Sequence, residues 1–118
     1  MKKTLVLGAS TNPERYAYKA IKLLLSHGHE VVPIGIKKGE VLGLQILDNY
    51  EANDINTVTV YLNPQNQENW YNAILKLAPQ RIIFNPGTEN PEFAQLAQSK
   101  GIETEEACTL VLLNTHQY

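Results

Sequence analysis

The chain has 118 residues, 43% of them hydrophobic and 19% charged, with a formal charge of −2. That is the size and balance of one domain with a single core, and with no basic run it gives no support to a nucleic-acid surface. The apolar runs are too short to cross a bilayer, and the single cysteine, Cys108, cannot close an internal disulfide. A cytoplasmic setting is therefore expected. Residues 1–8 hold two lysines but no long apolar region with a cleavage site, so they do not read as a secretory signal.

The chain alternates apolar runs with helical patterns. "KTLVLG" (3–8) predicts a buried strand, and 13–26 a helix with Ala17, Ala20, Ile21, Leu24 and Leu25 on one face, ended by Gly28. "HEVVPIG" (29–35) predicts a second strand, in which Pro33 implies an edge, a strand end or a bulge. Residues 36–56 are irregular apart from "VLGLQIL", a short edge strand. "TVTVYL" (57–62) predicts a strand, 64–78 a helix with Trp70, Ala73, Ile74 and Leu77 inward, and "RIIF" (81–84) another strand. A helix over 91–100, a strand over 102–105 and a short helix over 108–114 complete the chain. No linker interrupts it, so 1–118 reads as one domain.

This order predicts an α/β fold: a three-layer Rossmann-like domain with a mostly parallel sheet of five or six strands. A ligand in such a fold sits beyond the carboxyl ends of the strands, where the strand order reverses. Three junctions near that edge repeat one detail, Asn12-Pro13, Asn63-Pro64 and Asn90-Pro91. Asn favours the N-cap and Pro the first helical position, so three helix starts are expected to aim free backbone donors at one edge. Such an edge suits an anion, or it is simply good capping.

The first turn is the most informative. Gly8 permits a tight bend, Ala9 and Ser10 are small enough for a ligand to approach the backbone, and Ser10 and Thr11 add hydroxyls. Gly-x-Ser makes a phosphate turn or a turn without a ligand. NAD needs an acid at the end of the second strand, about 20 residues beyond the glycines, to hold its ribose. Here Lys37 and Lys38 follow Gly35, and no acid occurs before Glu40. Two lysines suit a phosphorylated ribose, the 3′-phosphate of coenzyme A (CoA) or the 2′-phosphate of NADP, unless they are a solvated turn.

"GASTNPERYAYKAIKLLLSHGHEVVPIG", "VYLNPQN", "IIFNPGTENPEFAQLAQSKGIE" and "EACTLVLL" together resemble the small stand-alone CoA-binding proteins. These are single-domain relatives of the CoA-binding domain of the succinyl-CoA synthetase α subunit. The resemblance runs from residue 4 to about residue 113. It implies a non-catalytic binding or regulatory module in which Gly8, Ala9, Ser10 and Thr11 cradle the pyrophosphate and Arg15 adds charge. It further implies Pro33, Ile34 and Gly35 at the adenosine, with Lys37 or Lys38 near its 3′-phosphate. Leu62 and Asn63 would border the middle of the cofactor, and Pro86, Gly87 and Thr88 its pantetheine arm.

The chain departs from relatives that continue the second strand as Pro-Val-Asn-Pro, reading Pro33-Ile34-Gly35-Ile36 instead. It also lacks the domain on which the ligases phosphorylate a histidine, and His27, His29 and His116 read as surface or capping residues. Cys108 reads as a small buried hydrophobe or as a thiol near the pantetheine end, disfavoured as thiolate by Glu105 and Glu106. Tyr16, Tyr18 and Trp70 are either packing residues or stacking partners for adenine. Two other functions stay open: an NAD(P)-binding oxidoreductase or redox sensor, and an accessory subunit of an acyl-CoA ligase-like complex. A protein partner or a homodimer is compatible with each.

Overall fold

A computed structural model describes residues 1–118. Five parallel strands form the main sheet: β1 (Thr4–Leu7), β2 (Val31–Ile34), β5 (Thr57–Val60), β6 (Arg81–Phe84) and β7 (Glu103–Glu106), in the order β2-β1-β5-β6-β7. Between β2 and β5 the chain makes a small antiparallel hairpin of β3 (Glu40–Val41) and β4 (Leu44–Gln45). The α/β Rossmann-like architecture expected from the sequence is therefore present, with the count at five.

Strand alternation sorts the core into two layers. Leu5, Leu7, Val58, Val60, Ile82 and Phe84 face one side, where Ile74 and Leu77 of α3 (Tyr71–Leu77) meet Phe93 and Ala97 of α4 (Pro91–Ser99). Val6 and Val31 face the other side, against Ala17, Ile21 and Leu24 of α1 (Tyr16–Ser26) and Leu113 of α5 (Thr109–Asn114). Near-continuous apolar strands are what a sheet covered on both faces requires.

Pro33 sits on an edge strand, as its missing N–H demands. The outer side of that strand is tied to the hairpin segment: the Leu47 amide donates to the Pro33 carbonyl, the Gly35 amide to the Leu47 carbonyl, and Leu47 makes a lone parallel bridge with Ile34. The irregular 36–56 segment thus holds a hairpin and a cover for β2 rather than a single edge strand. At the other margin, β7 pairs only with β6 and carries the sequence Glu-Thr-Glu-Glu.

Two helices differ from expectation. The first begins at Tyr16, not residue 13, because Asn12 does not cap it. The Ser10 hydroxyl accepts the Asn12 amide and the Asn12 side chain accepts the Glu14 amide, which holds residues 10–14 in successive side-chain turns. Only Asn63 and Asn90 are N-caps, accepting from the amides of Asn66 and Phe93, with Pro64 and Pro91 next in line. The expected 64–78 helix is broken into α2 (Pro64–Gln67), a 3₁₀ turn (Glu68–Trp70) and α3, and Ala73 is exposed on it while Trp70 is half-buried.

His29 is neither a cap nor a surface residue. Its ring is half-buried against Tyr118 at a centroid distance of 5.0 Å, and Nδ1 accepts the Lys2 amide at 3.0 Å. Burial lowers its pKa below the ordinary histidine value. The unfolded chain then binds the proton more readily, so stability is complete above about pH 6.5 and falls as the pH drops through the folded pKa. Urea denaturation between pH 7 and 5 should show this slope, and His29→Asn, which keeps an acceptor for Lys2, should flatten it. An unchanged slope in the variant would assign the pH dependence to other groups.

Candidate functional site

From β1 the chain crosses outward to β2 on one side, and from β5 it crosses outward to β6 on the other, so the strand order reverses between β1 and β5. Gly8 closes β1 at this point with φ +98°. A Cβ there would lie 3.1 Å from the Tyr61 carbonyl carbon and from the Leu62 side chain, so glycine is required by both conformation and space. The Gly8 and Ala9 amides each donate to the Ile34 carbonyl at 2.8 Å. Gly35, buried at the end of β2, lets the turn settle there: a Cβ on it would stand 2.8 Å from the Ala9 carbonyl oxygen.

These contacts bind the start of the turn to the sheet and leave its tip free. The Ser10 and Thr11 amides make no intramolecular hydrogen bond, and the Ser10 hydroxyl, having accepted from Asn12, keeps its proton for another acceptor. They open on a cavity of about 170 Å³ bordered by Gly8, Ala9, Ser10, Thr11, Lys37 and Leu62. Ile36 and Ile46 complete its wall, Ile36 being 76% exposed.

Of the residues expected at a cofactor, the first turn, Lys37 and Leu62 are thus brought together. Pro33 and Ile34 are buried in β2 and act through the backbone. Lys38 and Arg15 are exposed and line no part of this cavity. Ile46 is the residue the sequence did not mark. It reaches the wall because the hairpin folds back on β2, and only its apolar neighbours in "VLGLQIL" hint at it.

Farther along the same edge, polar side chains serve the fold. Asn63 spends its oxygen on the α2 cap. Thr88 is buried with its hydroxyl on the Asn85 carbonyl, and the Gly87 amide is taken by the Glu89 carboxylate. Gln67, fully buried, donates to the Leu62 and Thr88 carbonyls and accepts from Asn90. This amide ladder ties the β5–α2 and β6–α4 connections together, which fixes Leu62 at the cavity.

Asn85 performs the same service for α5. Its nitrogen donates to the Thr59 hydroxyl and the Val60 carbonyl, and its oxygen accepts the Thr109 amide. Pro86 lines a second cavity of about 250 Å³ together with Tyr16, Tyr61, Asn85, Cys108 and Leu110. The Tyr61 hydroxyl is buried without a hydrogen-bond partner, and burial pushes its pKa well above the ordinary phenol value. Tyr16 is 67% exposed at this second cavity, whereas Tyr18, on α1 itself, packs against the core layer beneath that helix and Trp70 against the opposite layer. No cluster of three or more His, Cys, Asp or Glu side chains is placed to hold a metal ion, and no helix is long and apolar enough to cross a membrane.

A family model described as a CoA-binding domain matches residues 2–114. The chain belongs to this CoA-binding domain family. A crystal structure of an uncharacterized protein superposes on this CoA-binding domain with a TM-score of 0.95 at 52% identity, over 100% of this chain and 98% of the other. A hypothetical protein from Pyrococcus horikoshii OT3 matches with a TM-score of 0.89 at 27% identity, over 97% and 82% of the two chains. Aspartate dehydrogenase from Thermotoga maritima shares only the fold, with a TM-score of 0.60 at 16% identity over 91% of this chain and 45% of that one. No curated protein matches the chain.

Proposed function

We propose that the domain binds CoA across the carboxyl edge of the sheet and acts without catalysis of its own, as a module that senses the cofactor or presents it to a partner protein. The observation that carries this reading is the cavity at the strand-order reversal, where two unpaired amides, the Ser10 hydroxyl and the Lys37 side chain share one opening. Backbone donors and a free hydroxyl suit the pyrophosphate, and Lys37 suits the 3′-phosphate. Leu62 borders the middle of the cofactor, and the pantetheine arm runs toward Pro86 and Gly87. NAD is less well served, because β2 is followed by Gly35-Ile36-Lys37-Lys38 and offers no acid for a ribose diol. The groups at the opening bind and orient, and none is a nucleophile paired with a base.

Isothermal titration with CoA, 3′-dephospho-CoA and NADP tests the reading. CoA should bind tightest. Lys37→Ala should weaken CoA about fivefold, the equivalent of about 1 kcal/mol for an exposed charge contact, and leave dephospho-CoA unchanged. Ser10→Asp, which sets a carboxylate beside the pyrophosphate at a position outside the core, should weaken CoA more than tenfold without shifting the melting temperature. Absence of CoA binding at millimolar concentration would overturn the proposal, and tighter binding of NADP would hand the site to a dinucleotide.

A further inference from the structure

The second cavity is not explained by the phosphate turn. It lies at the same sheet edge, and the chain itself links the two: Leu62 borders the first cavity while its neighbour Tyr61 borders the second, and Tyr16 follows the turn directly. At about 250 Å³ it is smaller than the pockets of about 300–1,000 Å³ that enclose whole small-molecule ligands. It therefore suits part of a ligand rather than a second cofactor.

Its walls define which part. Tyr16 and Tyr61 contribute rings, Pro86 a pyrrolidine and Leu110 an isobutyl group. The one amide, Asn85, has both of its polar atoms committed to Thr59, Val60 and Thr109. The Tyr61 hydroxyl is buried without a hydrogen-bond partner, and Cys108 adds a thiol, a weak donor. A charged group entering here would lose water and meet no opposite charge, whereas a hydrocarbon chain would gain by leaving water against these mainly apolar walls.

From these features we propose that the second cavity receives the acyl group of a short-chain acyl thioester of CoA, and that the domain distinguishes such thioesters from free CoA. This rests on the CoA reading above. The cavity then measures chain length: each methylene buried contributes about 0.8 kcal/mol, roughly a fourfold gain in affinity, until the walls are met.

Titration of the intact protein with CoA, acetyl-, propionyl-, butyryl- and palmitoyl-CoA decides the matter. The expected result is a rise of about fourfold per carbon from acetyl to butyryl and no further rise for palmitoyl. Leu110→Trp, which fills the cavity from the α5 side, should flatten the series while free CoA binds as before. Tyr16→Ser removes an exposed wall without touching the core, and should at least halve the gain per carbon. Equal affinities for CoA and all its thioesters would overturn the acyl proposal and leave CoA binding intact. A chain-length gradient that survives both substitutions would also overturn it. Failure of every one of these compounds to bind would overturn the CoA reading and this inference with it.

Discussion

Asn85→Leu is expected to lower the unfolding free energy by about 3–5 kcal/mol. Asn85 is 2% exposed and satisfies three buried groups at once: the Thr59 hydroxyl, the Val60 carbonyl and the Thr109 amide. Thr59 retains the Thr109 hydroxyl at 2.8 Å, so its loss is small. The Val60 carbonyl and the Thr109 amide have no such reserve, and each buried polar group left unpaired costs about 1–3 kcal/mol. Leucine keeps the branched shape of asparagine with bulkier methyls in place of the amide, and so leaves no room for a replacement water. The consequence is a fall in melting temperature of roughly 10–20 °C, from about 4 °C per kcal/mol for a domain of this size. Urea denaturation with an unchanged slope would attribute the loss to the native state. A loss below about 1 kcal/mol would show that the surrounding backbone repairs itself.

Gly35→Ala is expected to act on binding more than its size suggests. The added methyl would stand 2.8 Å from the Ala9 carbonyl oxygen and 3.1 Å from the Ile46 side chain. Ile46 can turn aside, but the carbonyl belongs to the backbone of the turn, which the Gly8 and Ala9 amides hold to Ile34. The turn must therefore move as a unit. Overpacking of this kind costs about 1–3 kcal/mol. The same movement displaces the Ser10 and Thr11 amides, and CoA affinity should fall at least tenfold. Calorimetry and titration on one preparation separate the two effects, and a destabilised variant with full CoA affinity would show that the ligand does not depend on this turn.

The elements of the fold were legible wherever their signals were local. "RIIF" is β6 to the residue, and the Asn90-Pro91 cap sets the start of α4. The same dipeptide misleads at Asn12-Pro13, because capping depends on which amide the asparagine side chain meets. Asn90 meets the amide three residues on, and Asn12 the amide two residues on, with Ser10 already holding its own N–H. Likewise, the apolar spacing of 64–78 is helical, but Gln67 in its midst is drawn fully inward by the Leu62 carbonyl of its own connection and the Thr88 carbonyl of a distant one. Nothing in a periodic pattern announces that.

At the candidate site the division is similar. Gly8, Ser10 and Thr11 stand together because a turn is made by neighbours. Lys37 could be placed near them by counting along the second strand, yet nothing local separates it from Lys38. Ile46 enters only through the hairpin, whereas Asn63 and Thr88 are spent locally, on the Asn66 amide and the Asn85 carbonyl, each three residues away.

The two margins of the sheet bear on how copies of this chain can associate. An unpaired strand edge is a template onto which another sheet can grow. Here β2 is occupied on its outer side by Leu47, and Pro33 has no N–H to offer. The far strand, β7, exposes Glu103 and Glu106, whose counterparts in a second copy would lie opposite like charges. Growth of a continuous intermolecular sheet is thus opposed at one margin by geometry and at the other by electrostatics. A self-assembled form of this domain has to be built from helix faces or from the ligand edge, and at the ligand edge assembly and cofactor occupancy would compete for the same surface.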